Sequence, residues 1–389
     1  MLNLYLRHPW TIVPGLTLGF VVAGLLMQRF TPDPNEHSTE EVIRSYHEHE
    51  GRMDLRSFLP KIAAAIATVG FGGSAALEGP SIYGGGAIGS WLWSRFRRLR
   101  LSERDRRIML ICGAAAGMSA VFRAPLTGIV FALEMPYRDD LAHEALAPSL
   151  IASVVSFLTL SAFLGAAPLF DFGGSTTFTR VDVYWSALLG LLAGLTAMVF
   201  VMIFRRVRSF AVRCALPHWV KLAIGGALTG LCGLLFITMY PGHLTPLGAN
   251  YEAVGEILNH HHGSAELAVF GALKLAATLG TLGWGGVSAM FVPLFLAGGS
   301  LGMAFAQTIV HSASPDLYAA VGMASFLAAG YKTPLAAVVF VAEATGGHAF
   351  IVPALIGAAV AYAVSGEASA SADQRLHEGE REGQLSALR

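Results

Sequence analysis

The chain has 389 residues, of which 54% are hydrophobic and only 13% charged, with a formal net charge of zero at pH 7. A soluble domain carries roughly 25% charged residues, so the composition argues against a water-soluble globular domain, and the charge balance points to no nucleic acid. Glycine, at 44 residues, exceeds the usual ~7%, as expected where helices pack backbone to backbone in a lipid bilayer.

A short polar lead, 1–8, precedes an apolar run at 9–28. That run meets the ~18-residue threshold for crossing a bilayer. It is too long for a signal peptide, and no small-residue cleavage site follows Met27. Residues 29–56 are polar, and within them 37–50, HSTEEVIRSYHEHE, predicts a surface helix capped by Ser38 or Thr39. An apolar run at 58–77 ends at Glu78. Residues 95–107 hold seven arginines and must lie outside lipid. Apolar pieces at 108–123 and 125–135 are too short to cross singly, and Pro125 opens the second. Residues 146–164 span.

Residues 166–182 are rich in Gly, Ser and Thr. The chain therefore divides into a first membrane repeat at 1–170, a linker at 171–182, a second membrane repeat at 183–365 and a polar tail at 366–389, which by composition is expected to be disordered. In the second repeat, spans at 183–204 and 222–240 are separated by Arg205, Arg206, Arg208, Arg213 and Lys221. A polar stretch at 241–266 and an apolar one at 267–280 follow. Short apolar pieces at 315–330 and 334–344 precede the last span, 349–365. Both arginine-rich segments are expected on the cytoplasmic side, with an even number of crossings between them. Cys112, Cys214 and Cys232 have no paired spacing and read as reduced thiols. His260, His261 and His262 are consecutive, so they cannot face one metal on a helix, and no metal or cofactor is expected.

The chain repeats itself. Residues 69–90, VGFGGSAALEGPSIYGGGAIGS, align without a gap with 282–303, LGWGGVSAMFVPLFLAGGSLGM. The identities are Gly70/Gly283, Gly72/Gly285, Gly73/Gly286, Ala76/Ala289, Pro80/Pro293, Gly85/Gly298, Gly86/Gly299 and Gly89/Gly302, and Glu78 falls on Phe291. A second pair, FRAPLTGIVFALE at 122–134 and YKTPLAAVVFVAE at 331–343, keeps the same order and nearly the same offset. Duplicated, Gly/Pro-interrupted apolar segments mark a repeat-built transporter with its site where the broken helices meet.

Proline is favoured in the first turn of a helix, so helices should start at about Gly79–Pro80 and Val292–Pro293. Each start comes late in an apolar run and so lies inside the membrane. A helix N-terminus offers free N–H groups and about +0.5 charge, and two converging starts make an anion site without a lysine or arginine in hydrocarbon. Broken helices packed on glycine would leave Glu78 unexplained, since a carboxylate in a membrane costs ~2.5 kcal/mol or more. At a helix start it becomes the bound anion, and when protonated it leaves and an external anion replaces it, a gate coupled to pH. Glu134 and Glu343, each ending a short apolar helix, read either as carboxylates tied to backbone donors or as proton stops. Arg123 and Lys332 read as interfacial anchors.

These motifs resemble the CLC family of chloride channels and chloride/proton antiporters. GSAALEGPSIYGGGAIGS is similar to its GxxxGREGP-type motif, AMFVPLFLAGGSLG to its GIFAP motif, and FLAAGYKTPLAAVVFVAEAT to its late RAPLTGIILVLEMT-type segment. The resemblance covers about 9–365. It implies an all-α polytopic membrane protein with two inverted-topology repeats and re-entrant half-helices, one pore per subunit of a homodimer, in a bacterial inner membrane. It implies that Glu78 is the gating glutamate and that the backbone at Gly79, Pro80, Phe291 and Val292 binds chloride. Departures from the family pattern are equally visible. The Gly-Ser-Gly-Ile-Pro motif is replaced at 31–38 by TPDPNEHS, the C-terminal tyrosine by Ser371, and the arginine before the gating acid by Leu77. The family's first helix is unmatched. Where antiporters carry an inner proton-transfer acid after Glu134 stands Met135, which leans toward a channel with weak or absent proton coupling, Glu134 being a possible substitute in a proton path. An antiporter with another proton path, or a carrier for fluoride or nitrate, shares the architecture. An intramembrane hydrolase would need a Ser/His pair, an Asp pair or H-E-x-x-H, and neither His311 nor His348 has a matched nucleophile motif.

Overall fold

The computed structural model describes residues 2–35, 38–96, 102–165, 170, 178–241, 245–258, 262–312, 314–345 and 348–377. The first half runs α1 (Leu2–Arg7), α2 (Ile12–Phe30), α3 (Ser38–Glu48), α4 (Phe58–Gly70), α5 (Glu78–Arg95), α6 (Glu103–Phe122), α7 (Pro125–Glu134) and α8 (Leu146–Leu164). The second runs α9 (Arg180–Arg213), α10 (His218–Met239), α11 (Glu252–Leu258), α12 (Ser264–Gly283), α13 (Phe291–Phe305), α14 (Pro315–Tyr331), α15 (Pro334–Thr345) and α16 (Ile351–Val364). The fold is all-α, and the described residues hold two isolated bridges and no longer ladder. Among the described residues six helices are long and apolar enough to cross a membrane, and α7, α15 and α16 are shorter apolar helices.

The duplication is written into the backbone. The turn after α4 puts Gly72 at φ +108°, and the turn after α12 puts Gly285 at φ +100°, a region that a side chain would strain. Gly73 N–H then closes back on Thr68 O and Gly286 N–H on Thr281 O, both at 2.9 Å. Ala76 and Ala289, which the alignment superimposes, pair with each other: Ala76 N–H donates to Ala289 O at 3.0 Å and Ala289 N–H to Ala76 O at 3.2 Å. The pseudo-two-fold axis therefore passes between them. Arg123 and Lys332, at φ +51° and +59°, end α6 and α14 in the same left-handed conformation, just before the prolines that open α7 and α15.

Glycine lets the helices touch main chain to main chain. A Cβ on Gly85 would lie 2.0 Å from Gly113 O, and one on Gly298 would lie 2.3 Å from Gly322 O. The α5–α6 crossing and its copy α13–α14 are thus backbone contacts. Helix α14 is buried along nearly its whole length, and α13 with it, so the second copy of the motif forms the centre. Helix α8 lies outermost, with only Ser149 and Ser153 buried.

Several boundaries differ from the sequence reading. Helix α9 starts at Arg180 and runs unbroken to Arg213, because straight-chain arginines continue a helix as readily as leucine; Arg205, Arg206, Arg208 and Arg213 ride on its end and not in a loop. The polar stretch after α10 contains α11. At 95–107, residues 97–101 lie outside the described residues, and Ser102 caps α6 through a capping box with Asp105, whose carboxyl the Ser102 N–H holds below the usual range. The tail also departs from expectation over 366–377. Gln374 is buried and its amide donates to Met135 O at 3.1 Å, Tyr137 O at 3.3 Å and Tyr331 O at 3.0 Å. Ala370 N–H donates to Gly330 O at 2.7 Å, and Asp373 pairs with Arg44 at 3.1 Å. Small and polar residues made this strap look unstructured, yet they are what fits against the exposed carbonyls at the ends of α7 and α14.

Gly85→Ala should part α5 from α6 and lower stability by about 1–3 kcal/mol, the cost of overpacking. Thermal unfolding in detergent reads this, with Gly70→Ala, where a Cβ meets nothing within 4 Å, as the control that keeps its melting temperature.

Candidate functional site

Each copy of the motif ends a helix, turns on a positive-φ glycine, passes the Ala76–Ala289 pair and starts a new helix two residues later. The starts are α5 at Glu78, after Leu77, and α13 at Phe291, after Met290. Both begin one or two residues before the positions that the prolines suggested. Pro80 and Pro293 are the third helical residues; lacking an N–H, they fix the helix start, while the free donors precede them. Gly79 lies against the second motif, where a Cβ would meet Ala289 Cβ at 3.1 Å and Ser288 O at 3.3 Å.

The structure brings Glu78, Gly79, Phe291 and Val292 together. The Glu78 side chain is 1% exposed. Its Oε1 accepts the Phe291 N–H at 2.9 Å. Its Oε2 is buried and has no hydrogen-bond partner. The carboxylate thus crosses from the first repeat to fill the helix start of the second.

The phenol of Tyr331 accepts the Met290 N–H at 3.1 Å, capping the residue before α13. Phe291 packs among the rings of Phe122, Phe131, Phe340 and Tyr331 at centroid distances of 4.9–6.0 Å. The Tyr251 ring lies 6.3 Å from that of Phe170, and its phenol feels the charge of Glu78. Ser288 Oγ donates to Ala76 O across the axis. Sequence reasoning missed Tyr331, Tyr251 and Ser288. For Tyr331 a signal was present, since its duplicate is Phe122 and only one copy carries a hydroxyl.

A cavity of about 30 Å³ lies against Ser288, Met290 and Tyr331 and reaches Thr39, Glu40 and Arg208. Ser371, which stands where the family's tyrosine was expected, lines the same cavity without a phenol. Of the residues replacing the family's serine motif, Glu36 and His37 lie outside the described residues. Beyond opens a vestibule of about 540 Å³ bearing Arg44, Arg138, Arg205, Arg208 and Arg213 against Glu40 and Asp373.

Glu134 lies elsewhere. Its two oxygens accept the N–H groups of Leu335 and Ala336 at 3.0 and 2.7 Å, at the start of α15. Glu343 does the same for Leu126 and Thr127 of α7, at 2.9 and 2.7 Å. Each half caps the other's short helix with a carboxylate. Glu134 borders a separate cavity of about 210 Å³ with Arg138, Asp139 and Lys332. His262 pairs with Glu266 at 3.0 Å, while His260 and His261 lie outside the described residues.

The sequence model of the family described as "Voltage gated chloride channel" matches residues 19–366. The chain is 27% identical over 370 residues to a "Putative chloride channel protein ClcB-like" of Ralstonia nicotianae, covering 91% of this chain and 82% of that protein. It is 27% identical over 353 residues to an "H(+)/Cl(-) exchange transporter ClcA" of Yersinia pestis bv. Antiqua, covering 87% and 73%. In fold it is similar to a CLC-type fluoride/proton antiporter (TM-score 0.81, 23% identity, 97% of this chain and 91% of that one). A slow cyanobacterial Cl-/H+ antiporter aligns at TM-score 0.79 and 22% identity, covering 92% and 83%.

Glu134→Ala leaves two N–H groups at the α15 start without their acceptor and should cost about 1–3 kcal/mol. Glu343→Ala should cost a similar amount through α7. Unfolding in detergent measures both, and a Glu134→Ala protein as stable as the parent would remove the capping role.

Proposed function

The chain belongs to the voltage-gated chloride channel family, and on that premise we propose that it carries chloride, or a similar small anion, across a cell membrane along a path that Glu78 closes. The observation that carries this reading is the 2.9 Å hydrogen bond from Phe291 N–H to Glu78 Oε1. The backbone donors of an intramembrane helix start hold a carboxylate that belongs to the chain itself. Such donors, aided by the dipole of α13, favour any small anion over a neutral group. Protonation cancels the carboxylate charge and with it the reason for Glu78 to stay. A chloride ion can then take the same donors at Phe291 and Val292, with Gly79 giving the close approach. Fluoride is the other candidate, since a fold neighbour is a fluoride/proton antiporter; at that identity it speaks to fold alone. The relatives are transport proteins by name, in keeping with a carrier and not a hydrolase.

The arrangement goes further in two respects. The arginine-bearing end of α9 and the start of α6 would face the cytoplasm, by the positive-inside bias, placing the basic vestibule inside. The outer face of α8, with Ile151, Val155 and Leu158 well exposed, would meet lipid or the second subunit of a homodimer.

In proteoliposomes, Glu78→Gln and Glu78→Ala should remove the pH dependence of anion flux that the parent shows; mutants that keep the parent's pH profile would sink the gate assignment. Single cysteines placed at Arg104 and Arg206, in a background free of Cys112, Cys214 and Cys232, should both label from the inside only. Labelling of either from outside would overturn the topology.

A further inference from the structure

The duplication reaches back into the helices before the two turns. KIAAAIATVGFGG at 61–73 matches KLAATLGTLGWGG at 274–286, with Lys61 on Lys274 and Thr68 on Thr281. Both lysines are buried, at 2% and 0% exposed, and burying an ammonium is costly unless it is paired and hydrogen-bonded. Lys61, on α4, meets that demand with the Glu41 carboxylate of α3 and the Tyr83 ring, 4.3 Å from its Nζ.

Lys274, on α12, does it otherwise. Its Nζ donates to Pro246 O at 3.1 Å and Gly248 O at 2.7 Å, and no carboxylate pairs with it among the described residues. Hydrogen bonds from an ionised donor are roughly twice as strong as neutral ones, so the two carbonyls are held firmly. They belong to the loop that leads into α11. Gly248 and Asn250 stand there at φ +69° and +48°, and the Asn250 amide donates across the loop to Thr245 O at 2.7 Å.

The loop in turn holds the site. Gly248 N–H donates to Gly72 O at 2.8 Å, the positive-φ glycine of the turn that leads to Glu78. From its other side the same turn is held by α12, where Ser74 N–H donates to Thr281 Oγ1 at 2.9 Å. The turn is thus gripped between α12 and a loop that Lys274 fastens to α12. No charged side chain acts on Glu78 directly among the described residues; the phenols of Tyr251 and Tyr331 feel its charge. Lys274 reaches the gate through backbone.

We propose that Lys274 is a positioning residue for Glu78: by clamping the 245–250 loop onto the Gly72 turn it fixes where α5 starts, and so keeps the Glu78 carboxylate on the Phe291 N–H. This rests on the reading of Glu78 as the gate. Without the clamp the turn has one support left, the hold of α13 on the carboxylate weakens, and less acid is needed to release it.

Anion flux against pH in proteoliposomes, and the infrared carboxyl band of Glu78 against pH, each protein read against its Glu78→Gln counterpart, test this together. In Lys274→Met, flux should set in at higher pH than in the parent, the midpoint moving by about tenfold in proton concentration, and the Glu78 band should move with it. Lys274→Arg, which keeps a cationic donor, should stay with the parent. Asn250→Gly drops the bond across the loop at a backbone conformation that suits glycine; it should move both readouts the same way by less, and it serves should Lys274→Met fail to fold. Glu343→Ala, which uncaps α7 away from the turn, should lose stability and move neither midpoint. A folded Lys274→Met, or an Asn250→Gly protein, that keeps the parent's midpoints overturns the proposal. If the band follows Lys274 while flux ignores Glu78, the transport reading fails and the positioning role stands. If flux follows Glu78 while Lys274→Met matches the parent, the gate stands and this role falls.

Discussion

A helix that starts inside a membrane leaves N–H groups that water cannot reach. Most of this structure follows from how those groups are served. Three helix starts, those of α13, α15 and α7, receive a glutamate from the opposite half of the chain. At α15 and α7 both carboxylate oxygens are used, and the caps are complete. At α13 one oxygen of Glu78 is left over, and the residue before the helix is already served by Tyr331. The same chemistry is therefore a complete fastening in two places and, on the proposed reading, a displaceable occupant in the third. What separates them is the number of oxygens engaged.

The parts legible in the sequence were those encoded locally. Gly72 and Gly285 marked turns, Pro80 and Pro293 marked helix starts, and the duplication placed two starts in register. The lone carboxylate among small apolar residues then had one physical role open to it. Less legible were roles that depend on which distant chain segments meet. Glu40 sits in a run of charges that reads as a solvated face; only the fold, which seats α3 on α5 within reach of the Arg208 side chain, buries it. The residues at 369–376 look like a loose tail because their partners are main-chain carbonyls, which leave no pattern in a sequence. Arg205 and Arg208 broke an apolar run and suggested a loop, although arginine is a good helix former and α9 simply continues beyond the apolar stretch.

The cytoplasmic-facing architecture, on the proposed topology, concentrates charge where the interior has almost none. The large vestibule is basic, Glu40 and Arg208 pair where it meets the small cavity, and at the start of α13 the donors are backbone N–H groups. Along this line fixed positive charge gives way to partial charge. On the proposed reading, an anion drawn in by full charges is then held by dipoles.

The reciprocal contacts carry a further meaning. Ala76 pairs with Ala289, the residue it aligns with; Glu134 reaches the start of α15 while Glu343 reaches the start of α7. Residue i touches j′ and j touches i′, the signature of an isologous interface between identical subunits. The chain is thus a two-fold dimer joined end to end, its subunits lying in opposite senses through the bilayer. Fusion freed the two copies to diverge, so that one start could keep a glutamate and its mate a phenylalanine. Two identical unfused copies could not carry a glutamate at one start and a phenylalanine at the other. Joining the halves is what allows that asymmetry.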